Sequence, residues 1–496
     1  MEQLSPLDAT FLNMETGSTP MHVGSLAIYD MSTVESGVLG FKEIIRYVER
    51  RLHSVPSLCY RLVEVPMGLD YPYWIADPDF DIEFHLRHIA LPQPGDWRQL
   101  CIQVARIHSR PLDMGRAPWE VYVIEGLNNI AGVPKGSFAV VCKIHHALVD
   151  GVFGTHLLAA LHDLGPHQKP DVSDQPWVTD RIPTGVELLS RAACNSVRNI
   201  AKKSQTLTRH ILPGALNMAK STAAGWLAGH RTEQKPRQAL FQAPQTRFNS
   251  RVSSHRVFEA VNFDLARLKK IKNTLADVTL NDLVVAVVAG GLRHYLQSKN
   301  ELPESPLTAM VPINIRTPEK EDSHGNQISF MFPSLFTDVA DPLQRIRAIS
   351  AATRRGKRAH QSHGGSLFLD TAQLLPTTVT SLLLRTALKY NVTRYMKPLF
   401  NTVVTNVPGP AHPLYFAGAK LVQFYGAGIS YDTMGLFHIV FSYNGSLSIS
   451  ITCCRSMMPD PGFYADCLRH SLDEIEQAAS SEESVQATAP VGEACH

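Results

Sequence analysis

The chain has 496 residues, 44% of them hydrophobic and 19% charged, with a formal net charge of +2. That length is too great for one ordinary core, so two domains or more are expected. The near-neutral balance gives no nucleic-acid footprint, and no apolar run reaches the length of a membrane span.

The longest apolar segments are interrupted, at Arg385 and at the Gly290-Gly291 pair. The N-terminus, Met1 to Pro6, has neither a basic nor an apolar leader region, so no secretory signal is read there. The eight cysteines are scattered, without a CxxC pair or zinc spacing, and Cys453-Cys454 are adjacent and poor disulfide partners. Reduced thiols in a cytoplasmic protein are the simplest reading.

In chain order, 22–30 reads as a strand, and Phe41, Ile44, Ile45, Val48 and Leu52 set an amphipathic helix over 38–53. Leu100, Val104 and Ile107 mark another helix. A strand at 137–145 follows, then a turn, then a helix carrying Leu157, Leu158 and Leu161. From about 165 to 250, Pro and polar residues thicken around a basic, amphipathic stretch, 186–229, with Lys202, Lys203, Arg209 and Lys220. A solvated linker is the preferred reading, and a membrane-surface helix is the sharper alternative.

The second half restarts with a strand at 255–264. Leu280, Leu283, Val284, Val287, Val288, Leu292 and Tyr295 then keep one helical face. Strand-like runs recur at 307–315, 328–337, 400–406 and 420–426. Phe437–Tyr443 and Ser446–Thr452 flank Asn444-Gly445, a type I′ hairpin signal. A last helix is expected over 462–477. The expected domains are 1–185, a connector at 186–250, a second domain at 251–477 and a disordered tail at 478–496.

The strand at 137–145 runs into His145-His146-Ala147-Leu148-Val149-Asp150-Gly151. Histidine exchanges a proton near neutrality, and a strand end holds it rigidly enough to serve as a general base. His146 is the expected base and His145 a residue that shapes the loop. Asp150 is expected to cap or brace the turn, with Arg61 as a weak partner, and Gly151 to allow a close backbone approach. Thr279 to Asp282 fits a capping box. Asn281 within it has two readings: a helix-cap residue, or an amide donor to the oxyanion of a tetrahedral intermediate. Trp119, in a turn-then-strand segment, reads as a buried Trp. Asn406, Pro408 and Gly409 form a rigid strand-ending turn, a structural stop or a tunnel wall. These four and Asp282 are the expected substrate-binding positions. No serine or cysteine stands in a nucleophile motif, which disfavours an acyl-enzyme.

The set of motifs resembles the bacterial wax ester synthase/acyl-CoA:diacylglycerol acyltransferase family. They are Leu4-Ser5-Pro6-Leu7-Asp8, Pro20-Met21-His22-Val23-Gly24, Pro111 to Glu120, His145 to Gly151, Asn281-Asp282, Val311 to Arg316, Gly325-Asn326 and Asn406 to Pro410. They run in order over about 4–475. One departure is Ala117-Pro118-Trp119 where the family often has Pro-Leu-Trp.

The resemblance implies an α/β fold of two chloramphenicol-acetyltransferase-like domains with a tunnel between them, and His146 as base. It places Asn281 near the reaction centre. It implies fatty acyl transfer from acyl-CoA to a long-chain alcohol or diacylglycerol, without metal or bound cofactor. Such substrates are membrane-borne, so a cytoplasmic chain touching a membrane or lipid body is expected. HHxxxDG alone also occurs in condensation domains acting on carrier-bound thioesters, which is one alternative. A non-catalytic lipid-body-binding protein is the other.

Overall fold

A computed structural model describes residues 1–149, 153–167, 179–206, 243–314, 328–363, 386 and 397–488. Its architecture is mixed α/β, with two six-stranded sheets and a small three-stranded one. The strands are β1 (Glu2–Gln3), β2 (His22–Asp30), β3 (Tyr60–Val63), β4 (Tyr73–Ala76), β5 (Leu86–Ala90), β6 (Trp119–Glu125), β7 (Phe138–His145) and β8 (Arg256–Asp264). They continue with β9 (Ala309–Asn314), β10 (Ile328–Met331), β11 (Thr402–Pro408), β12 (Tyr415–Phe416), β13 (Ala419–Ala427), β14 (Leu436–Tyr443) and β15 (Ser446–Cys454). The described helices are α1 (Pro6–Met14), α2 (Phe41–Glu49), α3 (Trp97–His108), α4 (Phe153–Leu161), α5 (Gly185–Thr206), α6 (Leu265–Thr274), α7 (Leu280–Ser298), α8 (Pro342–His363) and α9 (Pro461–Thr488).

The first large sheet has the order β12-β13-β2-β7-β6-β5. Its central strand β7 is covered on both faces, so it reads as a near-continuous apolar run rather than an alternating one. Its two faces still differ. Phe138, Val140 and Ile144 belong to one core, while Ala139 and Val141 join a second core with Leu100, Val104 and Ile107 of α3. On that second face the next positions are Lys143 and His145, both buried. The face turns polar where the strand ends, and the site lies there.

The second large sheet has the order β10-β9-β11-β14-β15-β8. Leu447, Ile449 and Ile451 of β15 pack with Leu283, Val284 and Val287 of α7 in an aliphatic core. The opposite face of β15 carries Ser448, Ser450 and Thr452, which meet β13. Ser448 Oγ donates to Phe424 O at 3.0 Å, Ser450 Oγ donates to Gly426 O at 2.6 Å, and Thr452 Oγ1 accepts from Gly428 N at 3.0 Å. A Cβ on Gly426 would lie 2.6 Å from Ile439 Cγ2, so glycine permits the close approach.

Several expectations are revised by these contacts. β12 and β13 lie within the stretch expected as the second domain, yet β13 pairs antiparallel with β2 and completes the first sheet. The boundary at 251 therefore does not separate the two sheets. Nothing in a local pattern distinguishes a strand that joins its own half from one that crosses over. The final helix runs Pro461–Thr488 rather than stopping at 477. Ile475 and Ala479 are buried in the aliphatic core and Arg347 pairs with Glu482, which extends order into the expected tail. The helix expected over 38–53 is cut to α2 because Gly40 caps its start, and a 3-10 turn replaces its end. The strand expected over 328–337 covers only β10. Asn444 and Gly445 both have positive φ, 43° and 83°, as a type I′ turn requires. Seven cysteines are free among the described residues.

Candidate active site

The site begins where β7 ends. His145 caps a single 3-10 turn, His146–Leu148, its Nδ1 accepting from Ala147 N at 3.1 Å. A neutral imidazole that accepts at Nδ1 carries its proton on Nε2. That end lies 3.3 Å from Glu15 Oε2. His145 is fully buried, with Nδ1 taken by Ala147 N and Nε2 beside the Glu15 carboxylate.

His146 is held differently. Its backbone N–H donates to Met21 O at 2.8 Å, and its ring stacks on Phe11 with centroids 3.9 Å apart. Its Nδ1 is buried without a partner among the described residues. Burial, reinforced by neighbouring His145, pushes its pKa down to about 4. The imidazole is therefore neutral at pH 7 and able to accept a proton.

The N-terminal motifs now have local physical roles. Ser5 caps α1 by accepting from Asp8 N at 3.1 Å, and Pro6 opens the helix. That cap fixes α1, which brings Phe11 onto His146. β2 pairs His22 with His145. His22 Nε2 lies 2.8 Å from His108 O, and His108 Nε2 lies 2.8 Å from Gly428 O, just past β13. Beside them Lys143 contacts Glu120 at 3.0 Å and donates to Arg110 O at 2.9 Å. Burial lowers the pKa of His22, and His108 adds to the effect.

Across the junction, Thr279 and Asp282 form the expected capping box at the start of α7. Asp282 is buried, and its second oxygen accepts from Thr353 Oγ1 at 2.6 Å. Its oxygens are thus occupied by α7 and α8. Asn281 is partly exposed, and its Oδ1 accepts from Asn406 Nδ2 at 3.4 Å. The planar amide then directs its own donor end elsewhere. Val407, next in β11, packs against the apolar cluster that contains Ala147 and Leu148. Pro408 is exposed, and Gly409 sits so close to Phe441 that a Cβ would fall 2.5 Å from the ring.

Other expected positions fall elsewhere. Trp119 is buried in the first sheet's core, its Nε1 donating to Leu58 O at 2.6 Å and its ring stacked on His85. A saturated indole of this kind is a core element, which corrects the expectation of substrate contact. Arg61 lies 3.4 Å from Asp77, and its expected partner Asp150 falls outside the described residues. Asp150 and Gly151 lie outside the described residues, as do Ile315, Arg316, Gly325 and Asn326. Arg209 and Lys220 do too, and Lys202 and Lys203 are described only as backbone of α5. Sequence reasoning missed Phe11 and Glu15. The Ser5-Pro6 helix-start signal could have pointed to α1, but nothing local could have shown what α1 covers.

Two family models match the chain. The wax ester synthase/diacylglycerol acyltransferase catalytic domain covers residues 4–284, and the C-terminal domain of the same family covers 324–476. A putative diacylglycerol O-acyltransferase of Mycobacterium tuberculosis is 32% identical over 483 residues, 97% of this chain and 91% of that protein. The O-acyltransferase WSD of Acinetobacter baylyi is 32% identical over 485 residues, 96% of each. The solved wax ester synthase/diacylglycerol acyltransferase of Marinobacter aquaeolei superposes with a TM-score of 0.67 at 27% identity, covering 97% of this chain and 100% of that one. The starter condensation domain of rhizomide synthetase shares the fold, with a TM-score of 0.53 at 12% identity, covering 97% and 94%.

Proposed function

The chain belongs to the wax ester synthase/diacylglycerol acyltransferase family, and from that premise we propose that His146 is the base that drives its reaction. The protein is an O-acyltransferase acting on an acyl donor and a hydroxyl acceptor. The donor is acyl-CoA, and the acceptor is a long-chain alcohol, diacylglycerol, or both. His146 removes the acceptor's hydroxyl proton while that oxygen forms a bond to the thioester carbonyl carbon. The carbonyl oxygen takes the negative charge, and the Asn281 amide donates to it. The carbon–sulfur bond then breaks, and the CoA sulfur leaves with the proton returned by His146. Direct transfer of this kind needs no metal or bound cofactor in the chemical step.

The observation that carries this reading is the state of His146. It is neutral at pH 7, stacked on Phe11 and positioned by Met21 O, with one ring nitrogen unsatisfied among the described residues. His145, by contrast, has its Nδ1 taken by Ala147 N and its Nε2 3.3 Å from the Glu15 carboxylate. The test is ester formation from labelled palmitoyl-CoA with hexadecanol or with diacylglycerol, comparing the wild type with His146→Ala. Loss of ester in the variant is expected. Equal activity removes His146 from the mechanism, and binding without turnover in the wild type favours a lipid-body-binding role.

Among the described residues no helix is long and apolar enough to cross a membrane. Both substrates are lipids, so the chain acts from the cytoplasm at the surface of the inner membrane or a lipid body. The basic stretch 186–229, the sharper alternative to a solvated linker, is the candidate contact. Neutralising Lys202, Lys203, Arg209 and Lys220 together should weaken liposome flotation, and undiminished flotation overturns that contact.

A further inference from the structure

The helical layer behind the second sheet holds a cluster that the acyl-transfer reading does not use. α7 and α9 lie unusually close because α7 carries Gly290 and Gly291. A Cβ at Gly291 would fall 2.6 Å from Leu468 Cδ2, and one at Gly290 would fall 2.1 Å from Ser471 Oγ. One turn further along α7, His294 faces α9. There His470 and Glu474 stand four residues apart, on one helical face. Glu474 lies between the two imidazoles: Oε2 is 2.7 Å from His294 Nε2, and Oε1 is 3.5 Å from His470 Nε2. The potential donor atoms of the three residues all lie within 4.8 Å of one another. A tetrahedral ion with bonds of about 2.0–2.1 Å holds its ligand atoms roughly 3.3 Å apart, so small side-chain rotations suffice to close the set.

We infer that His294, His470 and Glu474 form a binding site for a divalent transition-metal ion of the zinc class. Two imidazoles and one carboxylate suit such an ion, whereas calcium and magnesium prefer all-oxygen sets. The buried Arg345 guanidinium also interacts with Glu474, which further disfavours a hard cation held by charge alone. The imidazoles therefore supply most of the selectivity. His470 is the most exposed of the three, with 62% of its side chain accessible, so the ion enters from that side and keeps water at a remaining position.

The site is remote from the reaction. His294 lies thirteen residues beyond Asn281 on the same helix, roughly 20 Å along its axis. The ion takes no part in acyl transfer. It ties α9 to α7 and so fixes the helix whose first turn presents Asn281.

The test uses the full chain with its accessible thiols alkylated, so that cysteine does not compete. Cobalt(II) is titrated by calorimetry and visible absorption, and zinc is added in thermal unfolding. The expected result is one saturable ion per chain without a thiolate charge-transfer band, and a raised unfolding midpoint with zinc. His470→Ala, a change at an exposed position, should weaken binding at least about tenfold and abolish the zinc-dependent rise while leaving basal activity unchanged. Glu474→Gln should do the same. The proposal is overturned if the wild type shows no saturable binding. It is equally overturned if His470→Ala binds with unchanged affinity, or if zinc stabilises both proteins alike; the cluster is then only a hydrogen-bonded His-Glu-His contact.

Discussion

The two sides of the site are built by opposite means. On the β7 side, the face of the strand that meets α3 gives up apolar packing for Lys143 and His145, with buried His22 and His108 and half-buried Glu120 beside them. On the α7 side, a helix start sits over an aliphatic core, and its buried carboxylate is saturated by Thr279 and Thr353. Buried polar groups are costly unless partnered. The first side accepts that cost beside His146, the base proposed above. The second settles its polar groups and leaves one amide, Asn281, at the edge. Reactivity and support are thus divided between two halves of one chain.

The largest test of that division is His146→Ala, for which turnover should fall by ~10²–10⁴ with an unchanged circular dichroism spectrum. Asn281→Ala comes next, with a fall of ~10²–10³ in kcat and little change in unfolding midpoint. A purely helix-capping Asn281 would reverse that pattern, losing stability and keeping rate.

Acid titration probes both halves together. Burial pushes His108 in the first half and His438 in the second down to about 4. A histidine whose folded pKa is depressed stabilises fully above its unfolded value of about 6.5, and that stability is lost as pH falls toward about 4. Urea unfolding should show a loss on the order of 3 kcal/mol per such histidine over that window. Flat stability from pH 7 to 4 would contradict the burial of neutral imidazoles.

Asp282→Ala removes the carboxylate that caps Thr279 and accepts from Thr353, and should cost about 1–3 kcal/mol of stability, read by urea denaturation. Turnover per folded molecule should change far less than in Asn281→Ala. The smallest effect belongs to Phe11→Ala. Exposing His146 to water should raise the midpoint of the acid limb of kcat/KM from about 4 toward 6.5, with less than about twofold loss at pH 7. An unmoved limb would mean that Phe11 does not desolvate the base.

Much of this was legible along the chain because the signals are local. The strand into His145-His146, the capping box at Thr279 and the Asn444-Gly445 hairpin each depend on neighbours within a few residues, and each formed as read. α8 is harder to read, because Leu343, Ile346 and Ile349 are its large apolar residues and the rest of the helix is rich in Arg and polar side chains. Trp119 illustrates the limit from the other direction: a motif position attracts a binding role, and the fold places it in the core.

The amino-acid sequence by itself determined the family motifs, the doubled histidine and the helix that starts at Thr279, because residue type and short spacing specify them. Tertiary structure alone decided what surrounds each of the two histidines. Glu15, just past α1, stands beside His145 Nε2, and Phe11 of α1 stacks on His146. It also decided that β13 leaves its own half to complete the first sheet. Such contacts join residues more than a hundred positions apart, and no local pattern encodes a partner at that distance.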